Sequence, residues 1–202
     1  GNVFGGGEGE SATVFNKTST VIDMNLSTTV TEQLLSTDKI SGKTETSVVF
    51  VEGYSRILGN VYGGGDLAQV GQGIINTGNN TATISEKGNT YVEVRNGYVG
   101  GSLFGGGSGI PKAGQQYDLY MGTIFGNTLV NLYGGYIGGN VYGGGTQSRL
   151  YKDNNDQNNV ATLNIIEDTN NIIINGSVFG GGDRGNSATT NASVATTIGN
   201  VE

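Results

Sequence analysis

The residues able to do chemistry in this 202-residue chain are few. It contains no His and no Cys, which removes the usual general base, the serine-type triad, thiolate metal sites and disulfides. Acids, hydroxyls, amides and aromatic rings remain. Glu8, Asp66, Ser108, Thr146 and Asp183 each follow three consecutive glycines. An acid at a glycine turn suits calcium when carboxylates of successive turns share the ion, with the Asp two residues beyond a further Gly. The run 180–183, Gly-Gly-Gly-Asp, lacks that spacing, and Ser108 and Thr146 offer only a hydroxyl, so the set reads as turn residues. Glu86, Asp118 and the pair Glu167-Asp168 have no partner acid in a recurrent context, whereas glycoside hydrolysis needs two carboxylates facing each other across a defined gap. The triple glycines are not phosphate loops, because no Gly-Lys-Ser/Thr follows any of them. We therefore expect no catalytic residue, no metal site and no cofactor.

The element that must position everything else is a seven-residue motif, Gly-(Asn/Ser)-(Val/Leu)-(Phe/Tyr)-Gly-Gly-Gly. It starts at residues 1, 59, 101, 139 and 176, and a partial copy starts at 199. The motif is constant while the distance between copies shrinks from 58 to 37 residues along these five. A fixed unit with variable material between copies signals stacked repeats. Upstream context repeats too: residues 89–101 and 127–139 align without a gap, matching Val92 and Val94 to Val130 and Leu132, and Val99 to Ile137. The same skeleton recurs at Val49, Val51 and Ile57, and at Leu163, Ile165 and Ile174. Val-x-Val is a short strand with one buried face. A Gly turn, a second short strand, a Gly-Gly corner and the motif strand then close one coil, with glycine at corners where the backbone needs φ > 0.

Stacking such coils makes columns. Val3, Val61, Leu103, Val141 and Val178 form an apolar one, Phe4, Tyr62, Phe104, Tyr142 and Phe179 an aromatic one, and Asn2, Asn60, Ser102, Asn140 and Ser177 a polar one. The amides of the last can hydrogen-bond along the stack as an Asn ladder. Alternation puts Asn/Ser and the ring on one face and Val on the other. We expect all five Val/Leu positions inside and the rings outside, partly covered by inserts or neighbours. The reverse, rings filling a glycine-lined interior, is the alternative. Outward rings either pack over neighbouring glycines or stack on sugar faces.

The material between motifs is uneven. Strand-like patches lie at 12–15 and 20–24, a helical turn fits 32–35, and apolar points lie at Ile74-Ile75, Thr83-Ile84 and 117–121. The polar run 153–159 reads as a solvated loop. We expect these inserts to project outward, with one coil per motif.

Composition narrows the class. Gly is 38 of 202 with one Pro and no Gly-X-Y period, which excludes collagen. The net charge is −7, and a basic residue in the unit would recur as a ladder, which none does, so nucleic acid is not an expected partner. No apolar run approaches the ~20 residues of a membrane span. The chain starts without Met and both ends cut through the repeat, so a segment of something longer is expected.

The Asn-Val-Tyr-Gly-Gly-Gly copies and their Val-x-Val context, about half of the chain, resemble the glycine-rich repeats of large secreted or surface-exposed bacterial β-solenoid proteins of adhesin or fibre type. The resemblance implies an extracellular or cell-surface location and brings no catalytic residues. The reading is an all-β parallel β-solenoid (β-helix) with glycine corners and variable inserts, one continuous body over 1–202. Its expected role is structural and non-enzymatic, a fibre, stalk or adhesin shaft that associates end to end or continues in a longer chain. The alternative is a carbohydrate-binding or polysaccharide-active β-helix using outward aromatics and insert acids, with glycans as partners.

Overall fold

The structure, a computed structural model, describes residues 1–9, 16–23, 26–33, 45–76, 81–113, 119–151, 159–166, 171–183 and 193–198. Among these every regular element is a strand. In chain order β1 (Val3–Phe4) is the first motif strand. β2 (Asn16–Asp23) and β3 (Leu26–Gln33) pair antiparallel, so Glu32, read as helical from the sequence, lies in a strand. Then β4 (Thr46–Val51), β5 (Arg56–Ile57) and β6 (Val61–Tyr62) make one pass. A second antiparallel pair, β7 (Gln72–Asn76) and β8 (Thr81–Glu86), contains Ile74-Ile75 and Thr83-Ile84. The next pass is β9 (Asn89–Val94), β10 (Tyr98–Val99) and β11 (Leu103–Phe104). It is followed by β12 (Thr128–Leu132), β13 (Gly135–Ile137) and β14 (Val141–Tyr142). β15 (Val160–Ile165), β16 (Ile172–Ile174) and β17 (Val178–Phe179) repeat the pass, and β18 (Ser193–Ile198) starts another. Residues 12–15, Asp118 and the pair Glu167-Asp168 lie outside the described residues.

Each pass visits three sheets in the same order, and all three are parallel. The first has the order β18-β15-β12-β9-β4, the second β16-β13-β10-β5, and the third β1-β6-β11-β14-β17. Register is one motif per rung: Val3 pairs with Val61, Val61 with Leu103, Leu103 with Val141, and Val141 with Val178. No strand of an insert comes between them. In the first sheet Val49, Val92, Val130 and Leu163 share one register position, and Val51, Val94, Leu132 and Ile165 another. Ile57, Val99, Ile137 and Ile174 do the same in the second. These columns and Val3, Val61, Leu103 and Val141 of the motif make one apolar core. Each fully buried member contributes roughly 1.5–3 kcal/mol of transfer free energy.

The inserts are only partly outside. Val70, Ile124 and Leu150 bridge one another in parallel register and, with Ala161, form a second buried cluster. The segments 66–70 and 146–150 take the same path, and both put a non-glycine residue in the left-handed region, Leu67 at φ 66° and Gln147 at φ 47°. Next to this column Phe125, Tyr151 and Ala82 pack with Ile75, Ile84 and Tyr120, and the Tyr120 hydroxyl accepts a hydrogen bond from the Ile75 N–H at 3.0 Å. Three successive inserts thus share a side core. Asn159, placed by sequence in a solvated run, is buried and donates to the Tyr151 carbonyl; the rest of that run, 153–158, lies outside the described residues.

Candidate functional site

The three columns of the motif carry the repeated chemistry. Val61, Leu103 and Val141 are buried in the core. Val3 is half-buried, and Val178 is 37% exposed, contrary to the expectation of five buried positions. Both lie on the outermost strands of their sheet, where a rung covers the side chain from one side only. The rings lie on the opposite face in their own cluster, Tyr62, Phe104 and Tyr142 with Phe4 against them. Stacking is face to face at 4.7–4.9 Å between ring centroids, one strand spacing. The three middle rings are therefore buried by each other, and their faces are occupied. Phe4 and Phe179, on the two outermost strands, each stack on one side only, and Phe179 is 44% exposed.

The polar column is not an amide-to-amide ladder. Each side-chain oxygen accepts from the backbone N–H of the next rung: Asn60 donates to Asn2 Oδ1, Ser102 to Asn60 Oδ1, Asn140 to Ser102 Oγ and Ser177 to Asn140 Oδ1, at 2.8–3.0 Å. The amide nitrogens turn sideways instead. Asn60 Nδ2 donates to the Tyr62 hydroxyl at 3.0 Å, and Asn140 Nδ2 to the Tyr142 hydroxyl at 2.9 Å. Ser102 and Ser177 have Phe as the ring two residues on, so amide goes with phenol and hydroxyl with phenyl in those four copies. Burial pushes the Tyr62 phenol up, and the hydrogen bond from Asn60 partly offsets it.

Close approach, not φ, explains the motif glycines. None of the three following the aromatic is in the left-handed region, which is occupied instead by the turn glycines Gly53, Gly97 and Gly135. A Cβ on Gly63, Gly105 or Gly143 would overlap the carbonyl of the equivalent glycine one rung on, and one on Gly64 would lie 2.8 Å from the Gly107 nitrogen. The opening glycine is needed for a related reason. A Cβ on Gly59, Gly101, Gly139 or Gly176 would run into the side-chain oxygen of Asn2, Asn60, Ser102 or Asn140 respectively.

A hydroxyl column, not singled out in the sequence, closes the interior. Gly5 donates to the Tyr62 carbonyl and Gly6 to the Gly64 carbonyl; the Gly63 carbonyl between them accepts from the Ser47 hydroxyl. Thr90 does the same for Gly105 at 2.5 Å. Its signal was Thr or Ser two residues before the first Val of Val-x-Val, an inward position by alternation.

The residues after the glycines also align. Glu8, Asp66, Ser108, Thr146 and Asp183 bridge in sequence along the stack. Thr146 Oγ1 donates to Asp183 Oδ2 at 3.3 Å. Lys112, from the third insert, reaches back to contact Glu8 and lies 3.3 Å from Asp66. The hydrogen bond and charge of Lys112 hold the exposed Glu8 carboxyl below its ordinary value. Among the described residues no group of three acids could hold a metal ion.

The least repetitive chemistry lies on the outward face of the first sheet. Strand β9 presents Tyr91 and Glu93 there, followed by Arg95. Glu93 is only 5% exposed although it faces away from the core. It accepts hydrogen bonds from the Tyr91 hydroxyl and from Arg95 Nε, the latter at 2.5 Å. Asn131 Nδ2 donates to the Tyr91 hydroxyl at 3.2 Å, and Asn164 Nδ2 to Asn131 Oδ1 at 2.8 Å. The Arg95 guanidinium sits over the Tyr133 ring, 5.2 Å from its centroid. Burial, with the Glu93 carboxylate next to it, raises the Tyr91 phenol. On the second sheet Tyr98 and Tyr136 stack at 5.0 Å with Arg56 over Tyr98.

The chain matches no protein-family model, no curated protein and no solved structure. Its chemistry must be read from its own geometry.

Proposed function

We propose that the chain is a stretch of parallel β-solenoid with a structural, non-enzymatic role outside the cell, as the shaft of a fibre, stalk or adhesin. The observation that carries this reading is the one-motif-per-rung register of the third sheet. A rung of constant height is kept while the number of residues per repeat varies, which suits a scaffold extended by repetition. The outermost strands of each sheet present backbone N–H and C=O groups that a further rung would pair, whether from the same chain or from another copy. The rings of the motif are spent on one another, which favours packing over ligand capture as their role. The absence of His from the sequence removes the commonest acid–base catalyst.

Negative-stain electron microscopy and sedimentation of the purified chain over a wide concentration range test the reading. Filaments of uniform width, or end-to-end oligomers growing with concentration, support it. Globular monomers at every concentration, together with depolymerisation of a polysaccharide that a single acid substitution abolishes, would reject it.

A further inference from the structure

We propose that Asn96 is a self-modifying site, at which the Gly97 amide nitrogen closes on the Asn96 side chain and water completes a conversion to aspartate or isoaspartate. The inference stands whether or not rungs join end to end. The chain contains two Asn-Gly pairs, Asn96-Gly97 and Asn175-Gly176, and the fold holds them differently. Asn96 is exposed, in the turn between β9 and β10. On either side of it the Arg95 and Tyr98 N–H groups donate to the Val51 and Ser55 carbonyls of the rung before. The Gly97 N–H donates instead to Asn96 Oδ1 at 2.8 Å. The attacking nitrogen thus already touches the side chain it would attack, and Gly97 has no Cβ to shield it. Turning the amide about its soft last torsion brings Cγ over that nitrogen. The second pair is built into the stack. Asn175 follows β16 directly and donates its N–H to the Ile137 carbonyl at 2.9 Å. Gly176 is pressed onto the rung before, where a Cβ would overlap Asn140 Oδ1 and the Gly139 carbonyl. Closing a ring there must swing the 175–176 peptide out of that packing.

The reaction balances with water alone. The Gly97 nitrogen gives its proton to solvent base and bonds to Asn96 Cγ. The Cγ–Nδ2 bond breaks, and ammonia leaves with a proton returned from solvent. Water then opens the five-membered imide at either carbonyl, giving aspartate, or isoaspartate with the main chain rerouted through the side-chain carbons. The isoaspartate form lengthens the main chain by one carbon where rungs lie closest. Gly135 of the next rung sits on the Asn96 backbone, a would-be Cβ falling 3.1 Å from its carbonyl carbon, and the Tyr136 N–H donates to the Gly97 carbonyl at 2.9 Å. Modification at Asn96 therefore loosens the contact between these two rungs as the protein ages.

The test is ageing of the intact chain in mildly alkaline buffer, with and without urea, followed by peptide mapping with mass spectrometry that separates aspartate from isoaspartate. Urea removes the contribution of the fold and gives the intrinsic rate of each Asn-Gly pair. Relative to those rates, the folded chain should convert Asn96 at least about tenfold faster than Asn175. Asn96→Gln, whose ring would need an extra member, should abolish the modification at that position. The aged unsubstituted chain should melt below the aged Asn96→Gln chain, each compared with its fresh sample. A folded chain that leaves Asn96 intact, equal relative rates at the two positions, or no loss of melting temperature on conversion of Asn96 would overturn the proposal.

Discussion

Thr128 Oγ1 donates a hydrogen bond to the carbonyl oxygen of Gly143 at 2.6 Å, joining the first sheet to the third across the interior of one rung. Both ends of this bond are buried. Replacing Thr128 by Val keeps the shape and strands the carbonyl, which should cost about 1–3 kcal/mol. Thr128→Ser should recover most of it. Urea unfolding of both variants checks this, and equal stability of the Val and Ser variants would contradict it.

Two kinds of glycine should respond differently to alanine. Gly105→Ala places a methyl against the Gly143 carbonyl of the next rung and should cost about 3 kcal/mol through overpacking. Gly53 has open space around a would-be Cβ but a φ of +63°, so Gly53→Ala should cost only about 1 kcal/mol of backbone strain. Melting temperatures in the reverse order would refute the close-approach account of the motif.

Position along the stack should decide the cost of a charge in the apolar column. Val141→Asp buries an unpaired carboxylate and should cost more than about 3 kcal/mol. Val178→Asp leaves the carboxylate partly in water and should be far milder. Circular dichroism melts of the two variants settle the comparison.

Asn140 and Tyr142 should be energetically coupled through the 2.9 Å amide-to-phenol bond. Asn140→Ser and Tyr142→Phe each break it, and together they recreate the Ser/Phe pairing of residues 102 and 104. A double-mutant cycle should give a coupling of about 0.5–1.5 kcal/mol, the double variant losing less than the sum of the singles. Strict additivity would show that the pairing is incidental.

The Lys112 contacts with Glu8 and Asp66 should hold over a bounded pH window. Glu8 is depressed below its ordinary 4.5, so its contribution is present above that value and is lost as pH falls through the lower folded-state value. Lys112 is raised above its ordinary 10.5, first by the Glu8 hydrogen bond, so its contribution is present below that value and is lost as pH rises through the higher one. The clasp should be intact near neutrality, open in strong acid or strong alkali, and weaken in molar salt, because its groups are exposed. NMR shifts of Lys112 and Ser108 report this; shifts indifferent to both pH extremes and to salt would contradict it.

What could be read from the sequence follows from what repeats at constant spacing. Val92, Val94 and Val99 align with Val130, Leu132 and Ile137 without a gap, and the strand register reproduces that alignment residue for residue. The Ser47/Thr90/Thr128 column lies in the same aligned segment, but a hydroxyl on an inward strand position has no meaning until the opposing carbonyl is known. The Val70/Ile124/Leu150 column was hidden for a different reason. Val70 and Leu150 follow their glycines by five residues and Ile124 by seventeen, so no fixed offset marks them. The network around Glu93 was invisible because Tyr91, Glu93 and Arg95 each occur once in their columns, and the Asn131–Asn164 step lies in inexact copies of the repeat.

The register of the motif strands has a mechanical consequence. Backbone hydrogen bonds of all three sheets run along the stacking direction, so a pull on the two ends of the stack loads them in tension. Rungs would separate in succession, each releasing its own length of chain. At roughly 3.3–3.6 Å per extended residue, the 38-residue repeat that starts at Gly101 frees about 130 Å, and the 58-residue one that starts at Gly1 half as much again. The inserts, which add nothing to the height of the stack, are its stored slack: lengthening an insert makes the molecule more extensible without making it longer at rest.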